Sequence, residues 1–404
     1  MPAPRTVSEN QLVLLLSAVQ FVNVLDFVMV LPLGPDFVAA LGMPPSALGL
    51  VGGSYTAAAA VGGLIGATFL DRFDRRQALA VAVAGLVIAT AAGGFAVDFY
   101  SLLASRVVAG AMGGPATALC LAIIADQVPL ERRGRAMGTF MSAFSVASVV
   151  GVPAGLELAR VVSWRLPFFA VAAIGLLIVP LAYMLLPPLR AHLDRTTNEP
   201  APSFLAMLRP SVLLSLCAVG FAMTGTFLLV PNISGFVQLN LGYPREKIGL
   251  LYLCGGAVSF LTVRIAGRLT DRYGPLPVAT GAVTAFLVVI YLAFVNPTGV
   301  IPVVPLYAAF MVVSTFRFVP MQALSSRVPN MRERARFMSL QSTVQHAGSS
   351  MGAMLSSIML GSDSHGALTN MDNVGWLAIV LTASLPFLLY ALQARVGTPL
   401  AQAA

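Results

Sequence analysis

Lysine is all but missing from this chain: Lys247 is the only one. Charge of either sign is scarce, at 10% of 404 residues against roughly 25% in a soluble domain. So few charges cannot cover a water-facing surface. With 57% hydrophobic residues and a mean hydropathy of +0.85, the chain reads as a polytopic membrane protein. Cysteine is also rare. Cys120, Cys217 and Cys254 lie far apart, each inside an apolar run, which excludes a disulfide framework and leaves them as small buried hydrophobes. No CxxC, HExxH or GxxxxGK[ST] pattern occurs, so dithiol, zinc-hydrolase and ATP-driven chemistry have no foothold. No cofactor is expected, and the reading is not that of an enzyme.

The formal charge of +8 is almost entirely arginine in short turns. Basic turns between spans set orientation in a membrane and do not call for a nucleic-acid partner. A helix needs about 20 apolar residues to cross the bilayer core. Twelve such runs fall near 11–34, 46–70, 77–97, 100–125, 135–159, 165–187, 210–238, 247–270, 276–295, 300–325, 336–360 and 374–394. The N-terminal stretch lacks a small-residue cleavage site and is expected to remain as the first span. Arginines cluster after every second span, at 72–76, 132–135, 190–209, 268–272, 327–336 and 395. Only Arg160, Arg165, Arg245 and Lys247 occupy the opposite turns. Both termini are therefore expected in the cytoplasm, in a cell (cytoplasmic or inner) membrane.

The chain also repeats itself. "GATFLDRFDRRQALA" is echoed 200 residues on by "IAGRLTDRYGPLPVA", so that Asp271 and Arg272 stand where Asp71 and Arg72 stood. "DQVPLERRGRAMGTFMS" is echoed by "SRVPNMRERARFMSLQS". The expected organisation is an all-α protein of twelve spans in two pseudo-symmetric six-helix bundles, 1–187 and 210–404, joined by a polar cytoplasmic linker at 188–209. Parallel repeats of this kind belong to transporters that bind substrate where the halves meet.

These motifs resemble the major facilitator superfamily. The first charged turn is similar to its Gly-x-Leu-x-Asp-Arg-x-Gly-Arg-Arg pattern through Asp71, Arg72, Arg75 and Arg76, while Ala67 and Asp74 stand where the family prefers glycine. The second copy restores those glycines as Gly267 and Gly274 and lacks the trailing arginines. "SRVVAGAMGG" resembles the fourth-helix Arg-x-x-x-Gly motif through Arg106 and Gly110. "GVPAGLELA" resembles the fifth-helix antiporter motif through Gly151, Pro153 and Gly155, with Glu157 near an expected glycine. "NVLDFVMVLPLGPDF" is similar to the first helix of bacterial drug and sugar efflux members. The resemblance implies the superfamily fold and its proton-driven efflux branch. It also implies that the turn latches one state of the transport cycle, with Arg75 bridging to Asp126 and a weaker duplicate at Asp271 and Arg272.

Among the spans, Asp26 is the sharpest candidate. It lies about 15 residues into the first run, roughly 20 Å deep at 1.5 Å per residue. An ionised acid there must be paired, protonated part of the time, or facing a wet cavity. It is either a proton-coupling or substrate-contacting carboxylate, with Asn23 one turn earlier on the same face, or a structural hydrogen bond within the bundle. Arg106 would act electrostatically, because arginine keeps its proton. Arg317, between two aromatics, suits cation–π contact or function. His346 suits a proton acceptor or a helix contact. Two glycine-rich faces, "GAMGGPATA" and "GSSMGAMLSS", suit close helix packing.

The expected function is proton-coupled efflux of a small amphipathic molecule by alternating access, in a monomer whose partners are its solute, protons and the lipid bilayer. The alternative is proton-independent or symport uptake of a small anionic or neutral metabolite, or lipid translocation. Three in-span arginines against one deep acid favour an anionic or neutral cargo over a cationic one.

Overall fold

A computed structural model describes residues 8–69, 72–190, 209–297, 301–329, 334–364 and 366–397, apart from the side chains of 67–69, 130–131 and 334–335. Asp71 and most of the expected linker fall outside the described residues. Among the described residues eleven helices are long and apolar enough to cross a membrane: α1 Glu9–Leu41, α2 Pro45–Gly66, α3 Arg75–Gly94, α4 Phe99–Gln127, α5 Arg132–Val161, α6 Leu166–Leu185, α7 Pro210–Asn240, α8 Arg245–Tyr273, α9 Pro275–Val295, α10 Val303–Ser325 and α12 Met371–Val396. Between the last two runs α11, Arg334–Met359, completing twelve. It is less apolar than the rest because Gln341, Gln345, His346 and several serines interrupt it. Large apolar side chains such as Ile88, Leu177, Ile358 and Phe387 stand exposed on the outside of these helices. That is the surface a lipid solvent selects and water does not.

α1 runs to Leu41, past its expected end at 34, while α7 ends at Asn240, close to its expected end at 238; both accommodate an internal proline in the same way. α1 tightens into a 3₁₀ turn at Leu31–Leu33 around Pro32, then continues to Leu41. α7 does likewise at Val230–Asn232 around Pro231. Proline removes one backbone donor, and in membrane helices a local 3₁₀ adjustment absorbs the loss. Each helix then stops at a left-handed glycine, Gly42 and Gly242, both at φ 63°, a conformation that costs glycine little. α1 starts on a capping box in which Ser8 and Gln11 exchange side-chain-to-backbone hydrogen bonds. A short hairpin pairs Gly361–Ser362 with Leu368–Thr369 between α11 and α12, and Asn240 closes on it by exchanging two hydrogen bonds with the Leu368 backbone.

The chain divides into two compact units, Met1–Met43 with Ser54–Pro200, and Pro44–Gly53 with Ala201–Ala404. In the first, Gly110 and Gly114 of α4 lie against the backbone carbonyls of Tyr55 and Ala59 of α2, with no room for a β-carbon. In the second, Gly348 and Gly352 of α11 press on the α7 backbone at Gly220 and Thr224, and Thr224 Oγ1 donates to the Gly348 carbonyl over 3.1 Å. Small faces of this kind let membrane helices approach closely. Gly348 to Gly352 has the spacing of a hydrolase nucleophile turn, yet it lies mid-helix, not on a strand-to-helix turn. The core of this unit joins Val219, Val283, Met321, Phe337 and Leu389, drawn from α7, α9, α10, α11 and α12.

Candidate functional site

The deepest polar constellation of the first unit assembles from α1, α3, α4 and α6. Asp26 and Arg106 are 0% and 1% exposed. Arg106 Nη1 donates to both carboxylate oxygens, at 2.9 Å to Oδ1 and 3.0 Å to Oδ2. Thr90 Oγ1 lies 2.8 Å from Asp26 Oδ1 and also 2.8 Å from the Leu86 carbonyl. The guanidinium carbon sits 5.1 Å from the centre of the Phe168 ring. A buried charge pair pays a large desolvation cost and persists only with good geometry. Here the geometry neutralises the two ions against each other but leaves Arg106 Nε and Nη2 without a partner. The pair is closed, stable as an ion pair and sensitive to anything that removes one charge.

One turn before Asp26, Asn23 belongs to a second network that shares no hydrogen bond with the pair among the described residues. Its Nδ2 donates to the Gly113 carbonyl at 2.9 Å and to Thr117 Oγ1 at 2.7 Å. Tyr55 donates to Asn23 Oδ1 at 2.6 Å, and Thr117 Oγ1 donates to Gln20 Oε1 at 3.0 Å. The network runs from buried Tyr55 and Asn23 to half-buried Thr117 and Gln20, so it can present polar groups to a solute. Phe27 stacks on Tyr55 with ring centres 5.1 Å apart. Sequence reasoning found Asn23 and missed Thr90, Tyr55, Thr117 and Gln20. Hydroxyls and amides inside apolar runs were the available signal.

At the arginine-rich turn, Arg75 forms an ion pair with Asp126 and donates to the Ala122 carbonyl at 3.1 Å, joining the start of α3 to the end of α4. The departure at Asp74 has its own structural reason. Its carboxylate caps α3 by accepting from Arg76 N and takes the Leu189 N–H at 3.1 Å and Arg190 Nε at 3.1 Å. Burial pushes the Asp74 carboxyl up, but these N–H groups and the neighbouring guanidinium outweigh it and hold the group below its ordinary value. Arg76 lies 4.7 Å over the Tyr183 ring. Arg72 is exposed, as are Asp271 and Arg272, the last of these 5.2 Å over Tyr273.

In α5, a π turn at Ala147–Gly151 precedes Pro153 and absorbs its missing donor. A β-carbon on Gly151 would meet Leu25 Cδ1 at 2.5 Å, whereas Gly155 keeps ordinary distances of 3.8 Å to Met29 and Pro167. Glu157 pairs with Arg160 at the surface. In the second unit, Arg317 is 2% exposed and lies 4.7 Å over Phe286. His346 is half-buried and has no hydrogen-bond partner among the described residues.

The apolar helices and the one buried, mutually neutralising pair among the described residues are those of a polytopic membrane protein. The family model of the Major Facilitator Superfamily matches residues 16–353, and the chain belongs to that superfamily. It is 31% identical to the chloramphenicol resistance protein of Streptomyces lividans over 248 residues, 60% of this chain and 62% of that protein. It is 26% identical to the inner membrane transport protein YdhP of Escherichia coli (strain K12) over 244 residues, again 60% and 62%. The match thus spans less than two thirds of either relative. The crystal structure of a D-xylose-proton symporter shares the fold at a TM-score of 0.76 and 16% identity, over 96% of this chain and 98% of that one. Among the described residues no group of three or more His, Cys, Asp or Glu could hold a metal ion.

Proposed function

We propose that this transporter carries a small neutral or anionic organic solute, and that the Asp26–Arg106 pair is where a proton couples to its movement. The observation that carries this reading is the closed pair itself. Loss of either charge would leave the other buried without a counter-ion. Proton binding therefore changes the relative energies of the conformations that differ around the pair, which is what coupling requires. With Asp26 spent on Arg106, the remaining buried in-span charge among the described residues is Arg317. That balance disfavours a cationic cargo.

A proton that travels with the solute gives uptake by symport, and one that travels against it gives efflux. Efflux is supported by the relative named as a chloramphenicol resistance protein. The arginine-rich turns support cytoplasmic termini, and the two copies of the charged turn support two six-helix halves joined by the linker at 188–209. The Arg75–Asp126 pair and the Asp74 clasp are assigned to holding one state of the cycle.

Purified protein in proteoliposomes loaded with a pH-sensitive dye tests the reading. Chloramphenicol and a panel of neutral and anionic solutes are added outside. A solute-dependent change of internal pH is expected, its sign giving the direction of coupling. Solute flux that ignores an imposed pH gradient would contradict it.

A further inference from the structure

Arg317 of α10 is a buried cation that no acid among the described residues reaches. Its Nη2 donates to Thr226 Oγ1 and, at 3.3 Å, to the Ala222 carbonyl, both on α7. Nε and Nη1 are buried with no partner. One ring face and two neutral acceptors return far less than a counter-ion would for a guanidinium removed from water.

The second unit has a corner of similar composition but not of identical register: Arg317 stands 211 positions after Arg106, and its phenylalanine comes from α9 where that of Arg106 comes from α6. Around Arg106, a fourth-helix guanidinium meets a side chain of the first helix and lies over a phenylalanine. Around Arg317, a tenth-helix guanidinium meets a side chain of the seventh and lies over a phenylalanine. Thr226 stands 200 positions after Asp26, the interval that also carries Gly42 onto Gly242. Where the first corner has a carboxylate, the second has a hydroxyl.

We infer that the Thr226–Arg317 corner is an anion subsite, which takes the carboxylate of the transported solute in the place that Asp26 fills beside Arg106. The inference rests on the transport reading above and names its substrate class as a small organic monocarboxylate. The guanidinium supplies charge and two spare donors, Thr226 supplies a hydroxyl that can turn from acceptor to donor, and Phe286 supplies an apolar wall. Thr226 and Arg317 are both buried, so the anion reaches them only as the helices around the corner move.

The test uses the full-length purified protein and benzoate as probe, with benzyl alcohol as the uncharged comparison and sodium chloride at matched ionic strength. Thermal unfolding is followed in the wild type, Thr226→Asp and Arg317→Gln. Benzoate is expected to raise the wild-type Tm in a saturable way, benzyl alcohol and chloride to leave it unmoved. Thr226→Asp should raise the Tm without ligand and weaken the benzoate response at least tenfold, because the new carboxylate occupies the corner. Arg317→Gln should abolish the response. Equal benzoate responses in the wild type and Thr226→Asp would overturn the subsite, as would equal wild-type responses to benzoate and either comparison probe. Saturable benzoate binding without benzoate flux in proteoliposomes would uphold the subsite and count against the transport reading.

Discussion

Arg106 meets Asp26 through a single nitrogen, Nη1, which lies 2.9 Å from one carboxylate oxygen and 3.0 Å from the other. The second terminal nitrogen stays free. The pair is therefore strong in charge and incomplete in hydrogen bonding. Thr90 supplies the only other side-chain contact to the carboxylate among the described residues. A contact of this kind holds while both partners are ionised and has little to fall back on when one is not.

The network around Asn23 shares no hydrogen bond with that pair among the described residues. Tyr55→Phe removes the 2.6 Å hydrogen bond to Asn23 Oδ1 and keeps the stacking on Phe27. A loss of about 0.5–1.5 kcal/mol is expected, seen as a lower unfolding temperature. Because Tyr55 does not touch the carboxylate, solute half-saturation should rise while the response to a pH gradient survives. Loss of that response would join the two networks and contradict the assignment.

Asp74 should act as a pH-dependent clasp. Its carboxyl is held below its ordinary value, so its contribution is complete above about pH 4, the unfolded range, and disappears as pH falls through the lower folded value. Asp74→Asn keeps a side-chain oxygen for the α3 cap and loses the charge, and a cost of about 1 kcal/mol is expected. Asp74→Ala also loses the cap and should cost about 2–3 kcal/mol. Unfolding measured from pH 3 to 7 checks both: the difference between wild type and Asp74→Asn should shrink toward the acid end.

Close packing makes an opposite pair of expectations. Gly110→Ala drives a methyl into the Tyr55 carbonyl and should destabilise by about 1–3 kcal/mol. Gly138→Ala meets nothing within 4 Å and should be neutral or stabilising by up to about 1 kcal/mol. Thermal unfolding of the two variants side by side decides whether the small-residue face of α4 matters as packing.

The helices were legible in the sequence because lipid imposes a simple rule on them: length and apolarity. α11 obeys it least, and its serines and glutamines make sense only against neighbours. Gln341 donates to Gln322 of α10, a partner that no spacing in α11 announces. Pro32 and Pro231 lie inside the expected spans, and their helices continue through 3₁₀ turns that absorb the missing donor. Asp26 and Arg106 could each be picked out as charges stranded in hydrocarbon. Their pairing is a tertiary fact across 80 residues. Thr90 could not be picked out, since a threonine that bonds back to its own helix looks the same in sequence as one that also holds a carboxylate. Asp74 was visible only as a departure from a pattern. Its role depends on Leu189 and Arg190, more than a hundred residues away.

The central claim is that the carboxyl at position 26 carries the coupling proton. Asp26→Asn, reconstituted beside the wild type and assayed for solute flux with and without an imposed pH gradient, tests it most directly. The wild type should respond to the gradient, and the variant should exchange solute down its own gradient with no response to pH. Gradient-driven accumulation by Asp26→Asn equal to that of the wild type would contradict the account.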